Sequence, residues 1–278
     1  MKAIKAASSS GLADYHVHTR RCGHATGELE EYVGVARAKG LREIGFSDHI
    51  PQYFLQKRLR DTSLAMREEE LDAYVADIQK ISSALSDITV RLGIEADYAP
   101  GKEGVLKAIL DRYPFDYVLG SVHYINGWGF DNPAQMSGYA GRDIDALYGE
   151  YFRLVQRMVA TGLFDVVAHP DLLKKFGYRP RSDILPLYEE TVRTIAAAGL
   201  AVEVNTAGLR QPVGEIYPVP AFLELCFHHG IPVVLGSDAH RPADVGRDFD
   251  KAVAFLRRIG YREVAVFNKR RRGFCALP

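Results

Sequence analysis

Short runs of β-branched and aromatic residues alternate along this chain with longer stretches in which apolar side chains recur every three or four positions. The short runs are LADYHV (12–17), EIGFS (43–47), ITVRLGIEA (88–96), FDYVLGSV (115–122), FDVVAH (164–169), LAVEVN (200–205) and IPVVLGS (231–237). They read as buried strands. Between them lie amphipathic segments at 29–40, 66–85, 103–113, 143–162, 184–199, 219–230 and 248–260. Glycines at 40, 162, 199, 230 and 260 stop five of these helices before the chain resumes an extended run. Strand-then-helix repetition predicts parallel strands and right-handed crossovers. Seven good strands and a weaker eighth, EVAVF (263–267), predict a closed or nearly closed (β/α) barrel in a single domain over 1–278. Residues 1–11 are expected to be a flexible N-terminus and 268–278 a C-terminal tail. An open doubly wound sheet is the runner-up, but no GxGxxG follows the first strand.

Composition narrows the class. Hydrophobic residues make up 47% and charged residues 25%, the mix of a soluble globular protein. Lys+Arg and Asp+Glu both number 35, so no global field favours nucleic acid or membrane. The opening MKAIKAASSSG lacks an apolar stretch suited to a signal peptide, and no run approaches the ~18 apolar residues of a membrane span. Cys22, Cys226 and Cys275 form neither a disulfide framework nor a CxxC pattern. A cytoplasmic enzyme or binding protein is expected. KRRR (269–272), short and without interleaved aromatics, is expected to be a solvated tail rather than a nucleic-acid contact.

The chemistry lies at the strand ends. The first strand ends in His16 and His18, with His24 in the loop beyond. The following strands end in SDH (47–49), EAD (95–97), GSVH (120–123), HPD (169–171), EVN (203–205) and SDAH (237–240). In a parallel barrel these ends meet on one face. That brings seven of the nine histidines there and leaves His228 and His229 near a helix end. His16/His18, Glu95/Asp97 and Asp238/His240 are i,i+2 pairs, which on a strand point to the same side. Imidazoles and carboxylates together suit zinc, iron or manganese, so the face is read as a multi-metal site. Cys22 is read as a buried loop thiol rather than a ligand.

The pieces HVHT (16–19), His24, SDH (47–49), GIEAD (93–97), GSVH (120–123), AHPD (168–171) and GSDAH (236–240) resemble, in order, the motifs of the PHP (polymerase and histidinol phosphatase) family. GSVHYINGWGFDNP (120–133), HPDLLKKFG (169–177) and EVNTAGLR (203–210) are similar to its stand-alone histidinol-phosphate phosphatases. The resemblance implies a distorted (β/α)7 TIM-like barrel with three divalent metal ions. His16, His18, Glu95 and Asp238 would hold the first ion. Glu95, His123 and His169 would hold the second. His24, His49 and His240 would hold the third. Asp14 would orient an imidazole. The implied reaction is hydrolysis of L-histidinol phosphate, in histidine biosynthesis, by a hydroxide bridging the first two ions. Asp238 would move a proton, and His240 or His49 would assist the leaving group. Arg210 is expected to clamp the phosphate, with Lys174 and Lys175 as further cations and Asp171 against the ammonium. Trp128, Tyr124 and Phe130 would wall the imidazole. A PHP phosphoesterase acting on nucleotides, and a non-catalytic PHP module, are the competing readings.

Overall fold

The computed structural model describes residues 11–278. The expected flexible N-terminus therefore falls, save Gly11, outside the described residues. The strands are β1 (Ala13–Val17), β2 (Glu43–Phe46), β3 (Thr89–Asp97), β4 (Tyr117–Ser121), β5 (Tyr124–Ile125), β6 (Trp128–Gly129), β7 (Val166–Val167), β8 (Ala201–Asn205), β9 (Val233–Gly236), β10 (Glu263–Asn268) and β11 (Arg271–Ala276). The helices are α1 (Leu29–Ala38), α2 (Leu71–Ala84), α3 (Glu103–Leu110), α4 (Ile144–Ala160), α5 (Leu185–Ala198), α6 (Pro220–His228) and α7 (Phe249–Ile259).

Seven strands form one parallel sheet in the order β1-β2-β3-β4-β7-β8-β9. A parallel bridge between Val17 and Ala239 brings its two edges together. His18 N donates to Ala239 O at 2.9 Å and Ala239 N to His16 O at 3.1 Å. The result is the nearly closed α/β barrel that the strand–helix alternation predicts. Helix ends follow local chemistry. Asp143 caps α4 by accepting from Ala146 N at 3.1 Å, and Gly199, at φ 70°, ends α5 in the left-handed conformation that glycine tolerates. The main core lies between barrel and helices. A second cluster of Tyr15, Tyr117, Leu119, Val166, Val234, Ala265 and Phe267 fills the barrel interior.

Three expectations change. The run at 164–169 yields only the short β7, because His169 takes φ 24° and turns the chain out of the sheet. The eighth strand does not enter the barrel. It pairs antiparallel with β11 across the turn Lys269–Arg270. Ala265 and Phe267 join the interior cluster, and Phe267 N donates to Tyr15 Oη at 2.8 Å. The barrel already closes with seven strands, so this hairpin packs against it rather than joining it. The KRRR segment is therefore not a loose tail. Lys269 and Arg270 have φ of 50° and 60°, the paired positive values of a two-residue hairpin turn. Arg270 pairs with Asp165 and donates to Leu163 O, while Arg272 donates to Gly199 O.

Candidate metal centre

The parallel strands point their C-terminal ends at one face, and the histidines gather there. His16 is the fourth residue of β1 and His18 follows it; both are fully buried. His49 is carried in by a parallel bridge to Glu95 that extends β2 past its formal end, with Ile50 N on Glu95 O at 2.8 Å. His123 follows β4, His169 follows β7, and Asp238 and His240 follow β9. His169 and Asp238 sit at positive φ (24° and 52°), a strained backbone of the kind that concentrates at functional sites.

Glu95 is the hub. Its Oε2 lies 2.9 Å from His49 Nδ1, 3.3 Å from His16 Nε2 and 3.6 Å from His18 Nε2. Its Oε1 lies 2.9 Å from His169 Nε2 and 3.5 Å from His123 Nε2. Asp238 Oδ1 is 3.2 Å from His18 Nε2 and 3.8 Å from His16 Nε2. The imidazole of His240 stacks between those of His18 and His24, at centroid distances of 4.0 and 4.6 Å. Five groupings have ligand atoms mutually within 4.8 Å: His16/His18/Glu95, His49/Glu95/His123, His24/His49/His240, His16/His169/Asp238 and His18/Cys22/His240. The first and third consist of residues expected to share an ion, the second has His49 where His169 was expected beside Glu95 and His123, and His16/His169/Asp238 draws on the first two expected sets. Cys22 Sγ also stands within 4.8 Å of ring nitrogens of His18 and His240, but burial and Asp48 push its thiol pKa up, against thiolate ligation.

A further tier of acceptors orients the rings. His16 donates from Nδ1 to Glu203 at 2.7 Å, His123 to Asp97 at 2.8 Å, His24 to Ser63 O at 2.9 Å and His240 to Asp238 O at 3.2 Å. This turns the other nitrogen inward. The buried Nε2 atoms of His16, His18 and His240 and Oε2 of Glu95 then have no hydrogen-bond partner. Unpaired buried groups cost about 1–3 kcal/mol each, and divalent cations shared among them would satisfy all of them. The donor set of imidazole nitrogens and carboxylate oxygens fits such ions.

Asp14 does not orient an imidazole. It accepts from Ser237 N and Oγ at 2.9 and 2.5 Å and from Gly246 N at 2.8 Å. Glu203, which the sequence reading did not single out, has that task, and it also accepts from His169 N at 2.8 Å. The signal available was a carboxylate inside a predicted core strand. Gly236 permits the arrangement, since a Cβ there would overlap the Glu203 carboxylate.

The substrate candidates divide. His24, His49, Glu95, His123, His169, Asp238 and His240 open onto a cleft of ≈ 780 Å³ that Tyr124, Lys175 and Arg210 also line. Lys174, Asp171 and Trp128 do not line it. Lys174 is fully buried, 2.9 Å from Asp171 and donating to Ile216 O at 2.8 Å, while Asp171 also accepts from Val219 N at 2.8 Å. This buried pair holds two chain segments together away from the cleft lining, with Asp171 Oδ1 left without a hydrogen-bond partner. Trp128 packs edge-on against Tyr139, donates to Gln135 O at 3.1 Å and lies under Arg142. Phe130 is fully buried. His228 and His229 are exposed at the end of α6, away from the site.

A PHP domain matches residues 14–207. The chain belongs to the PHP family. It is 42% identical to a probable histidinol-phosphatase of Deinococcus radiodurans, over 94% of this chain and 98% of that protein. It is 29% identical to the histidinol-phosphatase of Bacillus subtilis, over 88% of this chain and 98% of that one. Its fold superposes with TM-score 0.78 on a histidinol phosphate phosphatase from Lactococcus lactis, solved in complex with zinc, L-histidinol and phosphate, at 22% identity and covering 94% and 98% of the two chains. No helix among the described residues is long and apolar enough to cross a membrane.

Replacing His24 with alanine will remove about one equivalent of metal while the ions around Glu95 stay bound, because His24 contributes only to the outer grouping. Metal analysis of the purified variant reads this directly.

Proposed function

We propose that this chain hydrolyses L-histidinol phosphate to L-histidinol and inorganic phosphate, with three divalent ions held by His16, His18, His24, His49, Glu95, His123, His169, Asp238 and His240. It is a phosphoric monoester hydrolase. The observation that carries the reading is the gathering of the nine side chains at one end of the barrel, seven of them lining the cleft and His16 and His18 buried behind it, in a chain 42% identical along nearly its whole length to a probable histidinol-phosphatase. The donor set accepts zinc, manganese or iron.

Divalent ions at these positions offset the charge of the ester dianion and lower the pKa of water from 15.7 toward ~7. The residues do the rest. Water adds to phosphorus, the ester P–O bond breaks, and the departing alkoxide takes a proton. Asp238 would receive the proton of the attacking water, its carboxylate kept anionic against burial by His16, His18 and His240. His49, which lines the cleft, would assist the leaving oxygen, whereas His240, lowered by burial and by the imidazoles of His18, His24 and His49, has no proton to give and would serve as a ligand. Arg210 donates to Ser237 O at 2.5 Å, which aims its guanidinium along the cleft wall and leaves donors for a phosphoryl oxygen.

Arg210→Ala will lower kcat/KM for histidinol phosphate by about 10²-fold, the scale of one preorganised donor at a developing charge, with metal content unchanged. An unchanged kcat/KM would remove the clamp. For the function itself, the test is a panel of histidinol phosphate, nucleoside monophosphates and p-nitrophenyl phosphate on metal-reconstituted protein. Preference for histidinol phosphate supports the reading, and no turnover of any monoester with the ions bound would sink it.

A further inference from the structure

The end of the barrel opposite the metal centre carries a strand edge without a partner. β11 pairs with β10 on one side and with no strand on the other among the described residues. The hairpin of β10 and β11 stands on edge beneath the barrel. Arg272 donates to Gly199 O, at the entry of β8, at 2.9 Å, and Cys275 Sγ to Gly11 O, at the entry of β1, at 3.1 Å. Arg272 and Cys275 lie on opposite faces of their strand, so the two faces of the hairpin look toward different sides of the barrel. β10 is the inserted strand, with Val264, Ala265 and Phe267 buried. β11 hangs outside it, with Arg271, Arg272, Phe274 and Ala276 exposed, Phe274 by 39%.

Leu277 N donates to Arg262 O at 2.9 Å, and Asn268 faces Arg271 across the turn. Bonded and non-bonded pairs alternate in an antiparallel ladder, so Gly273 and Cys275 bond toward β10 as Leu277 does. The N–H and C=O groups of Arg272, Phe274 and Ala276 therefore point outward, and they have no backbone partner among the described residues. Such an edge is a template for another strand, and its charges select which. Arg271 and Arg272 repel a strand that sets a cation opposite them. A second β11, related by a two-fold axis through Phe274, avoids this. Arg272 then faces Ala276 of the other copy, Arg271 faces Leu277, and the two Phe274 residues meet on the axis. A shift of register along the edge loses outward-pointing pairs. The two-fold register also matches charge. Glu263 is the cross-strand neighbour of Ala276, is exposed, and has neither a hydrogen bond nor an ion pair among the described residues. In the other copy it would stand two strand spacings from Arg272, roughly 10 Å between backbones, with only the Ala276 methyl between. An arginine and a glutamate together span that gap.

We propose that β11 is a self-pairing edge, through which two copies of this chain join base to base in one continuous sheet, β10-β11-β11-β10, with both clefts left open at the far ends. Antiparallel pairing of identical strands is closed by the two-fold axis, so the assembly stops at two chains. The contact is a strand edge rather than a broad surface, so the dimer dissociates on dilution.

Sedimentation velocity of the full chain over a dilution series tests this. The wild type will pass from one chain at low concentration to two at high concentration and go no further. Phe274→Lys sets like charges on the axis, and Ala276→Pro removes an outward N–H without touching a hairpin bond. Each will stay monomeric while keeping the wild-type circular dichroism spectrum. Arg272→Glu will raise the dimer Kd by about 10-fold, the scale of a pair of exposed ion contacts, and adding Glu263→Arg to it will restore dimerisation. A wild type that is monomeric throughout, an assembly beyond two chains, a dimer that survives both Phe274→Lys and Ala276→Pro, or a charge swap that restores nothing would each overturn the inference.

Discussion

Glu95→Gln will lower turnover of histidinol phosphate by about 10³-fold or more and remove about two equivalents of metal, while the protein stays folded. The substitution is isosteric and leaves the barrel strand intact, so the loss is one of charge. Five imidazoles approach the two Glu95 oxygens at 2.9–3.6 Å. Burial alone would neutralise the carboxyl, yet His16, His49 and His123 hold it well below the usual range. An amide provides one oxygen and one donor where the site requires two anionic acceptors. Its NH2 would also face ring nitrogens needed for ligation. The outer grouping of His24, His49 and His240 does not use Glu95 as a ligand and will keep its ion. Metal analysis beside a circular dichroism melt reads both parts. A variant with its full metal complement and wild-type turnover would show that Glu95 is not the hub.

Removal of the metals by a chelator will abolish activity and lower Tm by at least about 10 °C. One ion at a thousandfold excess over its Kd contributes about 4 kcal/mol, and each kcal/mol moves Tm by about 2–4 °C in a domain of this size. The proton balance gives a second readout. In the metal-free protein burial works against the charged imidazoles, but Glu203, Asp238 and Glu95 raise His16 well above its ordinary value. Asp238 and Asp48 likewise raise His18 to about 9, and Asp97 and Glu95 raise His123 to about 10. These rings carry protons at pH 7 that an incoming ion must displace. Zinc added at pH 7 in weak buffer will therefore release about three protons, and apparent affinity will climb with pH until these rings are neutral. His24 and His240 behave oppositely, since burial and neighbouring imidazoles lower them. Having no proton to lose, they let the outer grouping keep its ion at lower pH than the groupings around Glu95. A pH series of metal content will show two steps of loss on acidification, and a single step, or no proton release on zinc addition, would contradict this account.

Much of the centre was legible before any fold was known, because the relevant information is local. A hydrophobic run followed by a histidine marks a strand end, and parallel topology sends every such end to one face. His16, His18, Glu95, His123, His169, Asp238 and His240 needed no more than that. What lies around them was less legible. The Glu203–His16 hydrogen bond joins residues 187 positions apart, and nothing in either neighbourhood marks the pairing. Lys174 and Lys175 are adjacent in sequence, yet one is sealed against Asp171 and the other opens onto the cleft beside Asp131. A local pattern cannot tell them apart, because burial depends on which loop packs across them. The hairpin at Lys269–Arg270 was hidden because it has positive φ without the glycine or asparagine that usually announces such a turn.

The sequence by itself determined the alternation of strands and helices, the face on which the chemistry stands and the residue types that define it, since each follows from periodicity and chain order. Only the tertiary structure decided which carboxylate orients which ring, which cation is free for a ligand, and that the last strand folds back under a barrel already closed by Val17 and Ala239. Those are outcomes of distance and burial between segments far apart in the chain.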